Sequence, residues 1–154
     1  MFEKISIIGC GLIGSSIVRG IKSKNLTKKL SVFDKSKDVV DIIKKENLCD
    51  DVSKNVQSAI QNSDLVFICT PLSAYKEVLL SAKDYFKENA ILSDTGSVKK
   101  EICKIVENFN LNRVSWIPSH PIAGTEESGP KAGFANLFKD RWTIICQHKN
   151  SKKE

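Results

Sequence analysis

No stretch of this sequence approaches the roughly 20 consecutive apolar residues of a membrane-spanning helix. A membrane is therefore not an expected partner. A leader peptide is not expected either, because Met1-Phe2-Glu3-Lys4 runs at once into a strand pattern. Paired cysteines are absent too. The five, at positions 10, 49, 69, 103 and 146, are odd in number and scattered, with no C-x-x-C. That spacing argues against a zinc site or a disulfide frame and fits reduced thiols in a cytoplasm. Cys10, Cys69 and Cys146 lie in or beside strand patterns and read as small buried hydrophobes. Internal repeats and low-complexity linkers are missing. Histidine is scarce, with only His120 and His148. The net charge is +6, but the lysines are dispersed and no aromatic-rich basic stretch or recognition motif accompanies them. Nucleic acid is thus not expected. The excess charge suits a solvated basic surface and helps hold an anionic cofactor and an acidic substrate.

What remains is an ordinary globular chain. Its 154 residues, 41% hydrophobic and 27% charged, suggest one domain. Its organising stretch is Lys4-Ile5-Ser6-Ile7-Ile8-Gly9-Cys10-Gly11-Leu12-Ile13-Gly14. A buried strand is expected over 4–8. Gly9, Gly11 and Gly14 then stand at G-x-G-x-x-G spacing, and apolar residues at 13, 17 and 21 continue as a helix. In such a motif the first glycine allows the turn, the second lets backbone approach a pyrophosphate, and the third lets helix and sheet pack closely. The helix start directs free N–H groups, here those of residues such as Leu12 and Ile13, at an anion. A second strand, 30–33, ends in Asp34, which follows Gly14 by 20 residues. That is the position from which a carboxylate accepts ribose hydroxyls. It would repel a 2′-phosphate, favouring NAD over NADP, although Lys35 beside it could hold one. Asp34 could instead cap the following helix.

The pattern continues as a helix over 38–46 with Asn47 as a C-cap, and a polar segment over 50–55. A short helix over 56–61 and a doubly buried strand over 65–69 follow. Thr70 and Pro71, where that strand ends, are candidate cofactor contacts. A helix over 74–86 with Ser73 as a possible N-cap, a strand over 91–93 and a helix over 98–109 come next. A strand over 114–117, a short helix over 132–138 and a last strand over 142–146 complete the chain. Alternation of strand and helix predicts an α/β, Rossmann-type, doubly wound fold, with a largely parallel sheet and helices on both faces. The dinucleotide-binding domain spans 1–146, and 147–154 is a polar basic tail. Ligands of such sheets lie beyond the carboxyl ends of the strands, where Gly9 to Gly14, Asp34, Thr70-Pro71, Asp94 to Ser97 and Ser119-His120 all fall.

Pro121 biases His120 to an extended backbone, so its ring should project from a strand end. An imidazole there suits proton transfer near neutral pH, or it merely caps a loop. Ser97 precedes a helix and can serve as its N-cap, orient His120 by a hydrogen bond, or both. Glu127 reads as a solvated acid. His148, in the tail, is assigned no role.

Three segments now bear comparison with a known family. Gly9-Cys10-Gly11-Leu12-Ile13-Gly14-Ser15-Ser16, Asp94-Thr95-Gly96-Ser97-Val98-Lys99, and Ser119-His120-Pro121-Ile122-Ala123-Gly124-Thr125-Glu126 continuing to Gly133 resemble, in order, the signature of the prephenate/arogenate dehydrogenase family. The resemblance runs from about residue 3 to about residue 146, and its H-P-x-A-G-T-E block is the specific part. It implies NAD-dependent oxidative decarboxylation of prephenate to 4-hydroxyphenylpyruvate on the route to tyrosine, or the same reaction of arogenate. It implies that His120 deprotonates the ring hydroxyl, that Ser97 supports His120, and that Ser97, Thr125 and Glu126 face the substrate. It also implies a homodimer built by a second, helical domain, which supplies basic residues for the substrate carboxylates. That domain is expected to be missing here, because the chain ends eight residues after Cys146. Two alternatives stand beside it: a β-hydroxyacid or imine reductase on the same glycine motif, and a non-catalytic NAD-binding module.

Overall fold

The computed structural model describes residues 1–109 and 111–147. His148 and the rest of the basic tail lie outside the described residues. The elements are β1 (Phe2–Ile8), α1 (Leu12–Ser23), β2 (Thr27–Phe33), α2 (Lys37–Lys45), β3 (Asp51–Val52), α3 (Val56–Ile60) and β4 (Leu65–Ile68). Then come α4 (Tyr75–Ala82), β5 (Ala90–Asp94), α5 (Lys99–Glu107), β6 (Val114–Ile117), β7 (Ser119–Pro121) and β8 (Thr143–Ile145).

Six strands form one parallel sheet in the order β3-β2-β1-β4-β5-β6. The period of two along β1 divides its side chains between two cores. Ile5 and Ile7 pack with Val18, Ile21 and Ile43 from α1 and α2, while Ile8 packs with Ile60, Leu79 and Ile102 from α3, α4 and α5. Helices therefore cover both faces, and the doubly wound expectation holds. Ser6 faces α3, where its hydroxyl is satisfied by Ala59 O and the Ser63 hydroxyl, each at 2.7 Å. Strand order reverses between β1 and β4, which opens a crevice beyond their carboxyl ends.

Helix ends follow local chemistry. Ser36 caps α2 by accepting Val39 N–H, which takes the capping role away from Asp34. After α2, Asn47 lies one residue past the cap at φ +49°. Its N–H and that of Leu48 return to Lys44 O and Ile43 O, closing a Schellman turn.

Three expectations are corrected, and the last strand, which the sequence left unassigned to a sheet, finds its partner. The polar segment 50–55 contains an edge strand, β3, which Ser31 holds through its hydrogen bond to the Asp51 carboxylate at 2.7 Å. Ser73 is not an N-cap, because 72–74 winds as a 3₁₀ turn into α4. No α-helix spans 132–138. Pro130–Ala132 makes one 3₁₀ turn, and Gly133 turns extended at ψ 145°. The last strand does not join the main sheet. β8 pairs antiparallel with β7, with Ile144 opposite His120.

Candidate functional site

The glycine turn is dictated by contact. Gly9 sits at φ +91°, and a Cβ there would lie 2.9 Å from the carbonyl carbon of Cys69, where β1 and β4 diverge. A Cβ on Gly14 would lie 2.1 Å from Gly9 O, so helix and turn touch. Gly11 differs, for a Cβ there would meet nothing within 4 Å. Only something held in the open space beyond Gly11 would demand a glycine there. The first turn of α1 carries no acidic residue and leaves the N–H groups of Leu12, Ile13 and Gly14 without protein acceptors.

Asp34 follows β2 and turns back to this loop. Its Oδ2 accepts Cys10 N–H at 2.7 Å and its Oδ1 accepts Ser36 N–H at 2.9 Å. Lys35 is exposed beside it. Across the crevice, Thr70 Oγ1 is buried without a hydrogen-bond partner. Buried hydroxyls are rarely left so, and this one lines the cavity. Pro71 adjoins it.

A single cavity of about 880 Å³ takes in Gly11, Asp34, Thr70, Ser97 and His120. The predicted cofactor loop and the predicted proton acceptor thus share one space. His120 is half-buried on β7, in the extended backbone expected of it, and its ring makes no hydrogen bond among the described residues. Ser97 is exposed at the cavity wall. It does not cap α5, whose N-cap is Val98 without a side-chain bond, and it makes no hydrogen bond to His120. Thr125 and Glu126 are exposed and stand outside the cavity lining. Thr125 Oγ1 instead accepts Glu127 N–H at 3.2 Å, and that local turn brings Glu127 to the wall. Glu127, read from sequence as a solvated acid, is the acidic side chain of this loop that faces the cavity.

Two features were not anticipated. Asp94, at the end of β5, is fully buried and gathers Tyr75 OH, Gly96 N–H, Ser119 N–H and the Lys99 ammonium. The signal was available, since an aspartate closing a buried strand with a lysine five residues on invites a pair. The second feature is the anchoring of the segment after His120 on α1. Arg19 donates to Gly133 O at 2.8 Å and pairs with Glu46 at 2.6 Å, and Ser16 Oγ accepts Phe134 N–H at 3.1 Å.

Two thiols near the glycine turn are held in the protonated form. Burial, with the Asp34 charge second, pushes Cys10 up to about 12. Burial likewise pushes Cys69 up to about 12, against a hydrogen bond with Thr95. Among the described residues no group of His, Cys, Asp and Glu is placed to hold a metal, and no helix is long and apolar enough to cross a membrane.

Known proteins resemble this chain over nearly its whole length. A cyclohexadienyl dehydrogenase of Zymomonas mobilis is 42% identical over 145 residues, which are 94% of this chain and 49% of that protein. A prephenate dehydrogenase of Lactococcus lactis is 32% identical over 154 residues, 99% of this chain and 43% of that one. The chain therefore spans about half the length of the curated relatives it matches. In fold it superposes on Aquifex aeolicus prephenate dehydrogenase, solved with hydroxyphenyl propionate and NAD+, with a TM-score of 0.88 at 22% identity, covering 99% of this chain and 53% of that one. Residues 17–154 match the family described as "Prephenate dehydrogenase, nucleotide-binding domain". By that match, the chain belongs to the prephenate dehydrogenase family.

Proposed function

We propose that this chain is the NAD-binding part of an enzyme that oxidatively decarboxylates prephenate. The observation that carries the reading is the shared cavity, in which Gly11, Asp34, Thr70 and His120 line one wall-to-wall space. The residues fit a dinucleotide. Gly11 leaves room for a pyrophosphate, the first turn of α1 offers unpaired N–H groups, Asp34 is the acceptor for ribose hydroxyls, and Thr70 Oγ1 lacks a partner that a ligand would supply. When bound, NAD supplies the hydride acceptor for the ring carbon that bears the hydroxyl.

His120 then takes the hydroxyl proton, so that a carbonyl-like oxygen develops as the ring carboxylate leaves as CO₂ and the ring becomes aromatic. A positioned base of this kind contributes about 10² to 10⁴ in rate. Its ring has no competing hydrogen-bond partner among the described residues and sits half-buried, where the developing charge is partly shielded from water. Ser97 lines the same space and is the candidate to steady the ring once substrate is in place. Glu127, which lines the cavity where Glu126 and Thr125 do not, would face the substrate side chain.

Prephenate carries two carboxylates. Lys35 is the cation among the described cavity-lining residues, and it stands beside Asp34 at the ribose end. The cations that hold the substrate are therefore assigned to the part of the enzyme that this chain does not span.

Titration of the purified chain with NAD, NADP and prephenate tests the reading. NAD should bind in preference to NADP, and absorbance of the reduced nicotinamide should rise little until the rest of the enzyme is added. Absence of NAD binding would sink the proposal.

A further inference from the structure

We propose that Asp94 is a positioning residue for the His120 site, one buried carboxylate that sets both the turn carrying Ser97 and the strand carrying His120. This rests on the reading of His120 as proton acceptor. Asp94 ends β5 with no exposure. Its Oδ2 accepts Gly96 N–H at 2.9 Å and Tyr75 OH at 3.1 Å and pairs with the Lys99 ammonium. Its Oδ1 accepts Ser119 N–H at 3.3 Å, and Ser119 Oγ returns a hydrogen bond of 2.6 Å to Asp94 O. Gly96 and Ser119 are each one residue from a predicted site residue, Ser97 and His120.

The chain needs such a clamp at this point. β6 runs beside β5 as far as Ser93↔Ile117. Pro118 then has no N–H with which to continue the ladder, and β7 departs to pair with β8. Asp94 bridges the gap that Pro118 leaves. The turn around it is tight, for a Cβ on Gly96 would lie 2.4 Å from Ile102 Cδ1 and 3.3 Å from Asp94 Oδ2. Stability alone does not account for the arrangement. Desolvation offsets most of what a buried ion pair gains, and apolar side chains fill such space as well. What apolar side chains cannot do is accept the N–H groups of Gly96 and Ser119 together.

The test uses the full 154-residue chain with His148→Gln, which leaves His120 as its one imidazole. Imidazole nitrogen resonances and their titration midpoint are followed by NMR, with NAD affinity measured in parallel. Asp94→Asn should move the resonances and shift the midpoint by about 0.3 pH unit or more, while NAD affinity stays within about threefold. Lys99→Met should disturb the same signals, and Lys99→Arg, which keeps the charge, should restore them. Tyr75→Phe leaves the Gly96 and Ser119 bonds in place, so it should leave them unmoved. If Asp94→Asn folds with His120 signals that match the parent chain, the clamp is refuted. If Asp94→Asn does not fold, the Lys99 pair decides: Lys99→Met without effect on His120 overturns the proposal. Loss of NAD binding in the parent chain would remove the proposed function, yet the His120 response would still decide the clamp.

Discussion

Asp34 Oδ2 accepts the backbone N–H of Cys10 at 2.7 Å, so the carboxylate at the end of β2 braces the glycine turn that leaves β1. The residue placed to meet a ribose also shapes the loop that would meet the pyrophosphate. On the proposed reading of Asp34, cofactor preference and loop geometry are joined in one side chain.

Asp34→Ser separates the two roles. The shorter hydroxyl cannot receive ribose hydroxyls and reach Cys10 N–H as well. NAD affinity should fall about tenfold, a loss of about 1.4 kcal/mol, and the preference for NAD over NADP should shrink. Unfolding should become easier by about 1 kcal/mol, the net worth of one hydrogen bond. Calorimetric titration with both cofactors and a thermal melt check this. An unaltered preference would take Asp34 out of the ribose site.

Gly11 and Gly14 should respond to alanine in opposite ways. Gly14→Ala drives a methyl to 2.1 Å from Gly9 O and should cost stability of about 1–3 kcal/mol, seen as a lowered Tm. Gly11→Ala meets nothing in the protein, so its Tm should hold while NAD affinity falls at least about tenfold. Equal affinity in Gly11→Ala would mean that the open space beside it is not where pyrophosphate lies.

The chain should lose stability in alkali for a defined reason. Burial holds the Cys10 thiol up to about 12, whereas an ordinary thiol ionises at 9.0. Between those values the unfolded chain has shed a proton that the folded chain keeps. The contribution is whole below 9.0 and is lost as pH rises towards 12, by about 1.4 kcal/mol per pH unit for this thiol. Denaturant unfolding across that range should show the slope, and Cys10→Ala should lessen it by this thiol's share, leaving that of Cys69. A slope unchanged in Cys10→Ala would place the effect elsewhere.

His120→Asn should leave NAD affinity within about threefold, because the ring makes no hydrogen bond to the glycine loop. Turnover of prephenate, measured with the remaining half of the enzyme supplied, should fall by about 10² to 10⁴. Retained turnover would remove His120 from the proton transfer.

The main sheet was legible because its strands carry their burial in their own residues. Leu65–Ile68 is apolar throughout, and β6 falls over the expected 114–117. The edge strand Asp51–Val52 was not, since two residues make no period and Asp51 is held by serine hydroxyls rather than by an apolar face. Trp142–Cys146 reads as a strand, but nothing in those residues says which sheet receives it. In the site, His120 and the glycines were legible from backbone constraint. Whether Glu126 or Glu127 faces the cavity depends on a local turn through Thr125, which sequence spacing does not encode.

β8 is exposed at all three of its residues and is held by its pairing with β7 and by flanking bonds such as Cys146 N–H to Pro118 O at 2.9 Å. Little apolar area resists its separation, whereas β1 is flanked on both sides and covered on both faces. Amide exchange should therefore grade the molecule into two tiers, with the ribbon opening long before the sheet. His120 belongs to the faster tier on its Ile144 side and is moored to the slower one through Ser119. Exchange at His120 should therefore fall between that of the ribbon and that of the sheet.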